Sequence, residues 1–188
     1  MLLSGLPNLI TVARIVLVFP SAWLLWEAYY VEGLVLMTVA GASDAVDGWL
    51  ARRLNAVSQF GAALDPVADK LLVASMFVIF ALQGHLPLWL AVIVLGRDAI
   101  ILSGAAVYRV WLGRIEFAPT KLSKANTAMQ IATALALLLS LCGFGMLSEV
   151  AGLLVDPWGF YLLALLGVTS GFDYVFTWTR RAWREARS

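Results

Sequence analysis

Four aspartates stand inside stretches otherwise made of Leu, Val, Ala and Ile: Asp44 and Asp47, then Asp65 and Asp69. A carboxylate at membrane depth costs on the order of 2.5–3.5 kcal/mol even on insertion scales, so its first reading is functional. At about 100° per residue, spacings of three and four put both members of each pair on one helix face. Gly41, Gly48 and Ala51 share the stripe of Asp44 and Asp47, which makes it small as well as acidic. Four converging negative charges in a low-dielectric pocket repel, and their pKa values rise. A bound divalent cation removes the repulsion and keeps them ionised. Oxygen-only donors with no Cys or His nearby favour Mg²⁺ or Mn²⁺, one or two ions, over zinc. The competing reading is snorkelling or paired helix-end charges, with Arg52, Arg53 and Lys70 as available partners.

The elements that must position these residues follow from composition. Of 188 residues 62% are hydrophobic and 13% charged, and the mean hydropathy is +0.87. A water-soluble domain carries about a quarter charged residues and roughly 45–50% apolar ones. A soluble globular domain, a disordered chain and a disulfide-stapled module are all excluded, the last because Cys142 is the sole cysteine. A spanning helix needs about 20 predominantly apolar residues. That ruler predicts six, near 9–30, 34–55, 65–83, 87–110, 125–147 and 158–180. The expected fold is an all-α integral membrane protein of six transmembrane helices, one domain over residues 1–188. The first span is read as uncleaved, because no basic residue precedes Arg14. Pro20 should kink it, which membrane helices tolerate.

Loop charge sets the orientation. The segments 27–33, 83–87 and 147–157 hold Glu27, Glu32, His85, Glu149 and Asp156 but no Lys or Arg. The alternate side collects Arg52, Arg53, Arg109, Arg114, Lys121, Lys124, Arg180, Arg181, Arg184 and Arg187. By the positive-inside rule both termini and the basic loops are cytoplasmic. Trp23, Trp26, Tyr29, Tyr30, Trp89, Trp158 and Tyr161 would form an interfacial belt at the outer ends, and His85 lies there, far from the carboxylates. Both aspartate pairs fall at the cytoplasmic ends of their spans. A net charge of +1 gives no appetite for nucleic acid.

Written out, Asp44-x2-Asp47-Gly48-x2-Ala51-Arg52-x8-Gly61-x3-Asp65-x3-Asp69 matches all eight specified positions of one family's signature. The chain resembles the CDP-alcohol phosphotransferases, and the six-span layout extends that resemblance over its whole length. The resemblance implies displacement of CMP from a CDP-linked lipid by a second alcohol. It assigns Asp44, Asp47, Asp65 and Asp69 to the metal, with Asp69 also the general base. It places CDP against Asn8, Thr11, Gly48, Ala51, Arg52, Ser58 and Gly61. Homodimers are implied by resemblance alone. Capping by Asn8 and snorkelling by Arg14 are the plainer alternatives in span one.

Later motifs address the acceptor. Asp65-Pro66-Val67-Ala68-Asp69-Lys70 looks like the phosphatidylglycerophosphate- and cardiolipin-forming branches of the family. Gly96-Arg97-Asp98 and Ser123-Lys124-Ala125-Asn126-Thr127-Ala128-Met129-Gln130 resemble the cardiolipin-forming branch of eukaryotic type. The other branch has a second lysine where Asn126 stands. A dianionic glycerol 3-phosphate rewards that lysine, whereas the single charge of phosphatidylglycerol does not need it. The expected reaction is therefore CDP-diacylglycerol plus phosphatidylglycerol to cardiolipin plus CMP, with glycerol 3-phosphate as the alternative acceptor. Arg97, Lys124, Asn126 and Arg14 are the candidate acceptor contacts. Arg97 paired internally with Asp98 is the alternative to its contact role.

A divalent-cation transporter is the reading from another class. Such proteins place ion sites near the bilayer midplane between repeated halves, whereas these four aspartates gather at one face. Gly167 and Gly171 read as helix packing rather than a site. With no transit segment, a multi-pass protein of a bacterial inner membrane is expected ahead of a mitochondrial one.

Overall fold

The computed structural model describes residues 6–39, 59–112 and 120–185, with side chains over 16–39, 70–104 and 120–177. Among the described residues the chain is helical and has no strand. The helices are α1 (Leu6–Trp26), α2 (described over Tyr30–Val39), α3 (Gln59–Leu82), α4 (Leu88–Leu112), α5 (Lys121–Leu141), α6 (Met146–Leu154) and α7 (Phe160–Glu185). The all-helical expectation holds. Met146–Thr177 is the one described stretch both long and apolar enough to cross a membrane, and Val16–Trp26, Tyr30–Val39 and Lys70–Leu82 are shorter apolar helices. α1 continues through Pro20 without ending there.

The turns explain where these helices stop. After α1 the amide of Ala28 donates to Leu25 O (3.1 Å) and that of Tyr29 to Leu24 O (2.8 Å). This double closure needs a left-handed residue, and Ala28 supplies it at φ 61°. The same closure ends α3, where Gly84 (φ 80°) donates to Ala81 O at 3.2 Å and His85 to Phe80 O at 2.9 Å. Thr120 caps α5 by accepting the Ser123 amide at 3.2 Å, which starts that helix earlier than hydropathy alone suggests. It also ends earlier, at Leu141, where Gly143 and Gly145 take positive φ.

Most of the segment 147–157, expected as an outer loop, instead lies in α6, Met146–Leu154. Hydropathy has no signal for a helix too short to span. A wider turn, Val155–Gly159, with Asp156 itself extended (φ −108°, ψ 120°), then leads into α7.

α3 packs mainly along α1 and more lightly on α4 and α5, while α7 packs along both α4 and α5. The apolar core runs from Leu25, Phe77 and Phe80 through Leu90 and Val94 to Leu138 and Leu163. Gly33 and Gly167 are among the glycines that allow close approach. A methyl on Gly33 would lie 3.0 Å from Leu25 Cδ2, and one on Gly167 would lie 3.2 Å from Ile93 Cγ2. The packing role expected of Gly167 is thus observed. A methyl on Gly171 would reach only 3.8 Å from Arg97 Cγ, ordinary contact.

At the end of the bundle carrying the acidic turns, Tyr30 Oη and His85 Nε2 are 3.0 Å apart, and Gln83 Nε2 donates to Leu25 O at 2.9 Å. Tyr30 therefore joins the α1–α2 and α3–α4 turns. Trp23, Trp26, Tyr29, Trp89, Trp158 and Tyr161 remain exposed, with Trp89 and Tyr161 stacked at 6.0 Å.

Candidate active site

Beside the apolar core, several polar side chains are buried in the bundle, while large apolar ones also cover its outside. Arg97, Asn126, Gln130, Thr133 and Ser170 are buried, whereas Phe19, Leu82, Val92, Leu165, Phe172 and Phe176 are exposed. Burying a guanidinium costs several kcal/mol unless partners compensate it, and Arg97 is only 4% exposed. Its partners come from three helices. Nη1 donates to Asp98 Oδ1 at 2.7 Å. Nη2 donates to Ser123 Oγ of α5 at 2.6 Å and to Ser170 Oγ of α7 at 2.8 Å. The other carboxylate oxygen of Asp98 lies 2.7 Å from Lys70 Nζ of α3. That contact is a close ion pair rather than an aligned hydrogen bond.

One residue thus collects two cations, and the cluster Lys70, Arg97 and Asp98 carries one net positive charge. The pairing of Arg97 with Asp98, left open by the sequence, is what the structure contains. Arg97 Nε has no partner among the described residues.

Next to this cluster runs a polar column on α5. Asn126 is 0% exposed, and its Oδ1 lies 3.7 Å from where a methyl on Gly167 would sit. Both polar atoms of Asn126, with Gln130 Nε2 and Thr133 Oγ1, lack partners among the described residues. An unpaired buried polar group costs about 1–3 kcal/mol. A run of them is not what stability alone would select.

The sequence-derived candidates divide into three groups. Arg97 and Asn126 are brought together against the Gly167–Gly171 stripe of α7, while Lys124 is exposed on α5. Asn8, Thr11 and Arg14 lie on α1, and Gly61, Asp65 and Asp69 on the first half of α3, where only the backbone is described. Positions 65 and 69 are one turn apart on that helix. Asp44, Asp47, Gly48, Ala51, Arg52 and Ser58 lie outside the described residues. Among the described residues no three acidic, His or Cys side chains converge on a metal-sized site.

Ser123, Ser170 and Gln130 were not singled out as site residues by sequence. The signal for the column was present in the three-four-three spacing of Ser123, Asn126, Gln130 and Thr133. Ser170 has no signal of its own beyond lying between Gly167 and Gly171.

The CDP-alcohol phosphatidyltransferase family model matches residues 4–170. The chain belongs to that family. It is 35% identical over 144 residues to a probable CMP-forming cardiolipin synthase of Drosophila melanogaster, covering 68% of this chain and 45% of that protein. It is 32% identical over 185 residues to the CDP-diacylglycerol–glycerol-3-phosphate 3-phosphatidyltransferase of Bacillus subtilis (strain 168), covering 90% of this chain and 93% of that one. A Streptomyces coelicolor CMP-forming cardiolipin synthase is 36% identical over 110 residues, 55% of this chain and 51% of its own. The chain thus spans less than half of the Drosophila relative and nearly all of the Bacillus one. Membership in a transferase family decides against the cation-transporter alternative.

Proposed function

We propose that the protein transfers the phosphatidyl group of CDP-diacylglycerol to the free hydroxyl of phosphatidylglycerol, giving cardiolipin and CMP. The observation that carries the choice of acceptor is the charge of the partly buried cluster of Lys70, Arg97 and Asp98. Asp98 cancels one of its two cations, leaving one net positive charge, and the adjoining buried column offers neutral Asn126 and Gln130. A phosphodiester carries one negative charge and matches that surplus. Glycerol 3-phosphate carries about two at neutral pH, by analogy with other phosphomonoesters, and would leave one unmatched. Its use as acceptor is the second reading, favoured by the near full-length match to the Bacillus protein.

The donor set Asp44, Asp47, Asp65 and Asp69 fits a hard divalent ion, Mg²⁺ or Mn²⁺, because it is all carboxylate and α3 carries two of its members one helical turn apart. Held by these four carboxylates, such an ion would supply charge neutralisation for the pyrophosphate and the departing CMP. Asn8, Thr11, Gly48, Ala51, Arg52, Ser58 and Gly61 hold the cytidine diphosphate. Asp69 takes the proton of the acceptor hydroxyl as its oxygen bonds to the lipid-side phosphorus and the bond from that phosphorus to the CMP oxygen breaks. Arg97 and Asn126 orient the acceptor phosphodiester; Lys124, exposed to solvent and screened there, and Arg14 are outer contacts that are not part of the cluster around Asp98.

Membrane embedding with six spans, cytoplasmic termini and a bacterial inner-membrane home is the setting we propose. It is supported by the exposed apolar exterior, the exposed aromatics beside the acidic turns and the uncharged interior of Met146–Thr177 up to Asp156 on one side and Asp173 on the other. Homodimerisation is proposed on family grounds.

The test is CMP release by purified protein given CDP-diacylglycerol, Mg²⁺ or Mn²⁺, and either alcohol separately. Release with phosphatidylglycerol is expected. Release with glycerol 3-phosphate alone would reverse the acceptor, and release with neither would remove the enzymatic reading.

A further inference from the structure

We propose that Asp98 is a positioning residue for the proposed reaction: by tying Lys70 to Arg97 it fixes the rotation of α3, and with it the helix face that carries Asp65 and Asp69. The inference rests on the reaction proposed above for the role of Asp69. It rests on the geometry alone for the tie.

Lys70 directly follows Asp69, and adjacent residues on a helix are about 100° apart around its axis. Whatever holds position 70 therefore sets the azimuth of positions 65 and 69. The main neighbour of α3 is α1, and that contact is largely apolar in the described half. Buried Phe77 and Phe80 turn one face of the second half of α3 inward, and Lys70 stands nearer the aspartates, at the start of the half whose side chains are described. There the 2.7 Å approach of Lys70 Nζ to Asp98 Oδ2 adds a polar tie from α3 to α4, one residue from Asp69.

The anchor itself is stiff. Asp98 Oδ1 accepts from Arg97 at 2.7 Å, and Arg97 is held in turn by Ser123 and Ser170. The tie from α3 therefore ends on α4, α5 and α7 together.

Stability alone does not account for Lys70. Among the described side chains Arg97 and Asp98 already form a neutral pair, so neither needs Lys70 to neutralise it. Lys70 at this position is explained if its task is to hold α3 in one orientation.

Removing Asp98 alone strands two cations and threatens folding, so the decisive variant is the double substitution Lys70→Gln with Asp98→Asn. It removes one charge of each sign and leaves the cluster at its original net charge. Two measurements are made on full-length protein. In the first, CMP release gives kcat and KM for CDP-diacylglycerol. The double variant should lose about 100-fold in kcat, the scale of a misplacement near 1 Å, with KM and unfolding temperature unchanged, while Lys70→Arg keeps most of the wild-type kcat. In the second, nitroxide labels on exposed Val78 of α3 and Val92 of α4, in a Cys142→Ser background, report the distance between the helices. One narrow distribution is expected with the ion pair and a broad or shifted one without it. Wild-type kcat in the double variant, or an unchanged distance distribution, overturns the proposal. If the wild type releases no CMP with any acceptor, the reaction has failed, and the label distances still decide the tie.

Discussion

Ser170 Oγ on α7 accepts a hydrogen bond from Arg97 Nη2 on α4 at 2.8 Å, joining residues 73 positions apart inside the bundle. Ser123 Oγ of α5 accepts from the same nitrogen at 2.6 Å, so one guanidinium nitrogen closes a three-helix junction. A hydrogen bond to a charged group contributes about 1.5–3 kcal/mol. Because Ser123 remains when Ser170 is lost, Ser170→Ala should cost towards the lower end of that range. The measurement is thermal unfolding in detergent, and a variant as stable as wild type would show that Ser123 alone suffices.

Gly167 and Gly171 should respond differently to the same substitution chemistry. A side chain at Gly167 meets Ile93 at 3.2 Å and Asn126 beyond it, whereas one at Gly171 has ordinary room. Gly167→Leu should destabilise by about 1–3 kcal/mol through overpacking between α4 and α7. Alanine at both positions makes the comparison: Gly171→Ala, with ordinary room inside a helix, should gain up to about 1 kcal/mol, whereas Gly167→Ala should not, because its methyl meets Ile93 at 3.2 Å. Equal effects at both positions would contradict the packing described.

The turn between α1 and α2 holds an alanine where glycine is favoured. Ala28 sits at φ 61°, a conformation that costs an L-residue roughly 1–2 kcal/mol. Glycine relieves that cost but loses more entropy on folding. The net expectation for Ala28→Gly is a gain of up to about 1 kcal/mol, read as a higher unfolding temperature. A lower one would mean that the alanine side chain contributes packing that outweighs the strain.

Carboxylate chemistry predicts two losses of turnover with the fold retained. Asp69→Asn should reduce CMP release by at least about 100-fold, the lower range of general-base contributions, while unfolding temperature stays near wild type. Chelation of divalent ions should abolish turnover, and Mg²⁺ or Mn²⁺ should restore it. Full activity in either case removes the base or the metal from the mechanism.

How much of the fold and site is legible in the sequence depends on the kind of signal. Long helices are legible because long apolar runs have few alternatives, although only Met146–Thr177 is both long and apolar enough to span among the described residues. The aspartates are conspicuous as ionisable groups in such runs, and their side chains lie outside the described ones. α6 is not legible, since nine residues between two spans read as a loop by length alone. Asp98 was seen as a candidate partner for Arg97, but its second contact with Lys70 joins helices separated by the whole α3–α4 turn. No spacing rule within one helix reveals such a pair. Ser170 is similar: a small hydroxyl beside two glycines looks like packing until the guanidinium it accepts from is in place.

The most direct measurement offers both acceptors at once. Purified protein in lipid vesicles receives CDP-diacylglycerol, a divalent ion, phosphatidylglycerol and glycerol 3-phosphate together, and the lipid product is identified by mass. Cardiolipin formed in step with CMP is the predicted result. Phosphatidylglycerophosphate as the main product would contradict the account, because it would mean that the single net charge around Asp98 does not select the acceptor.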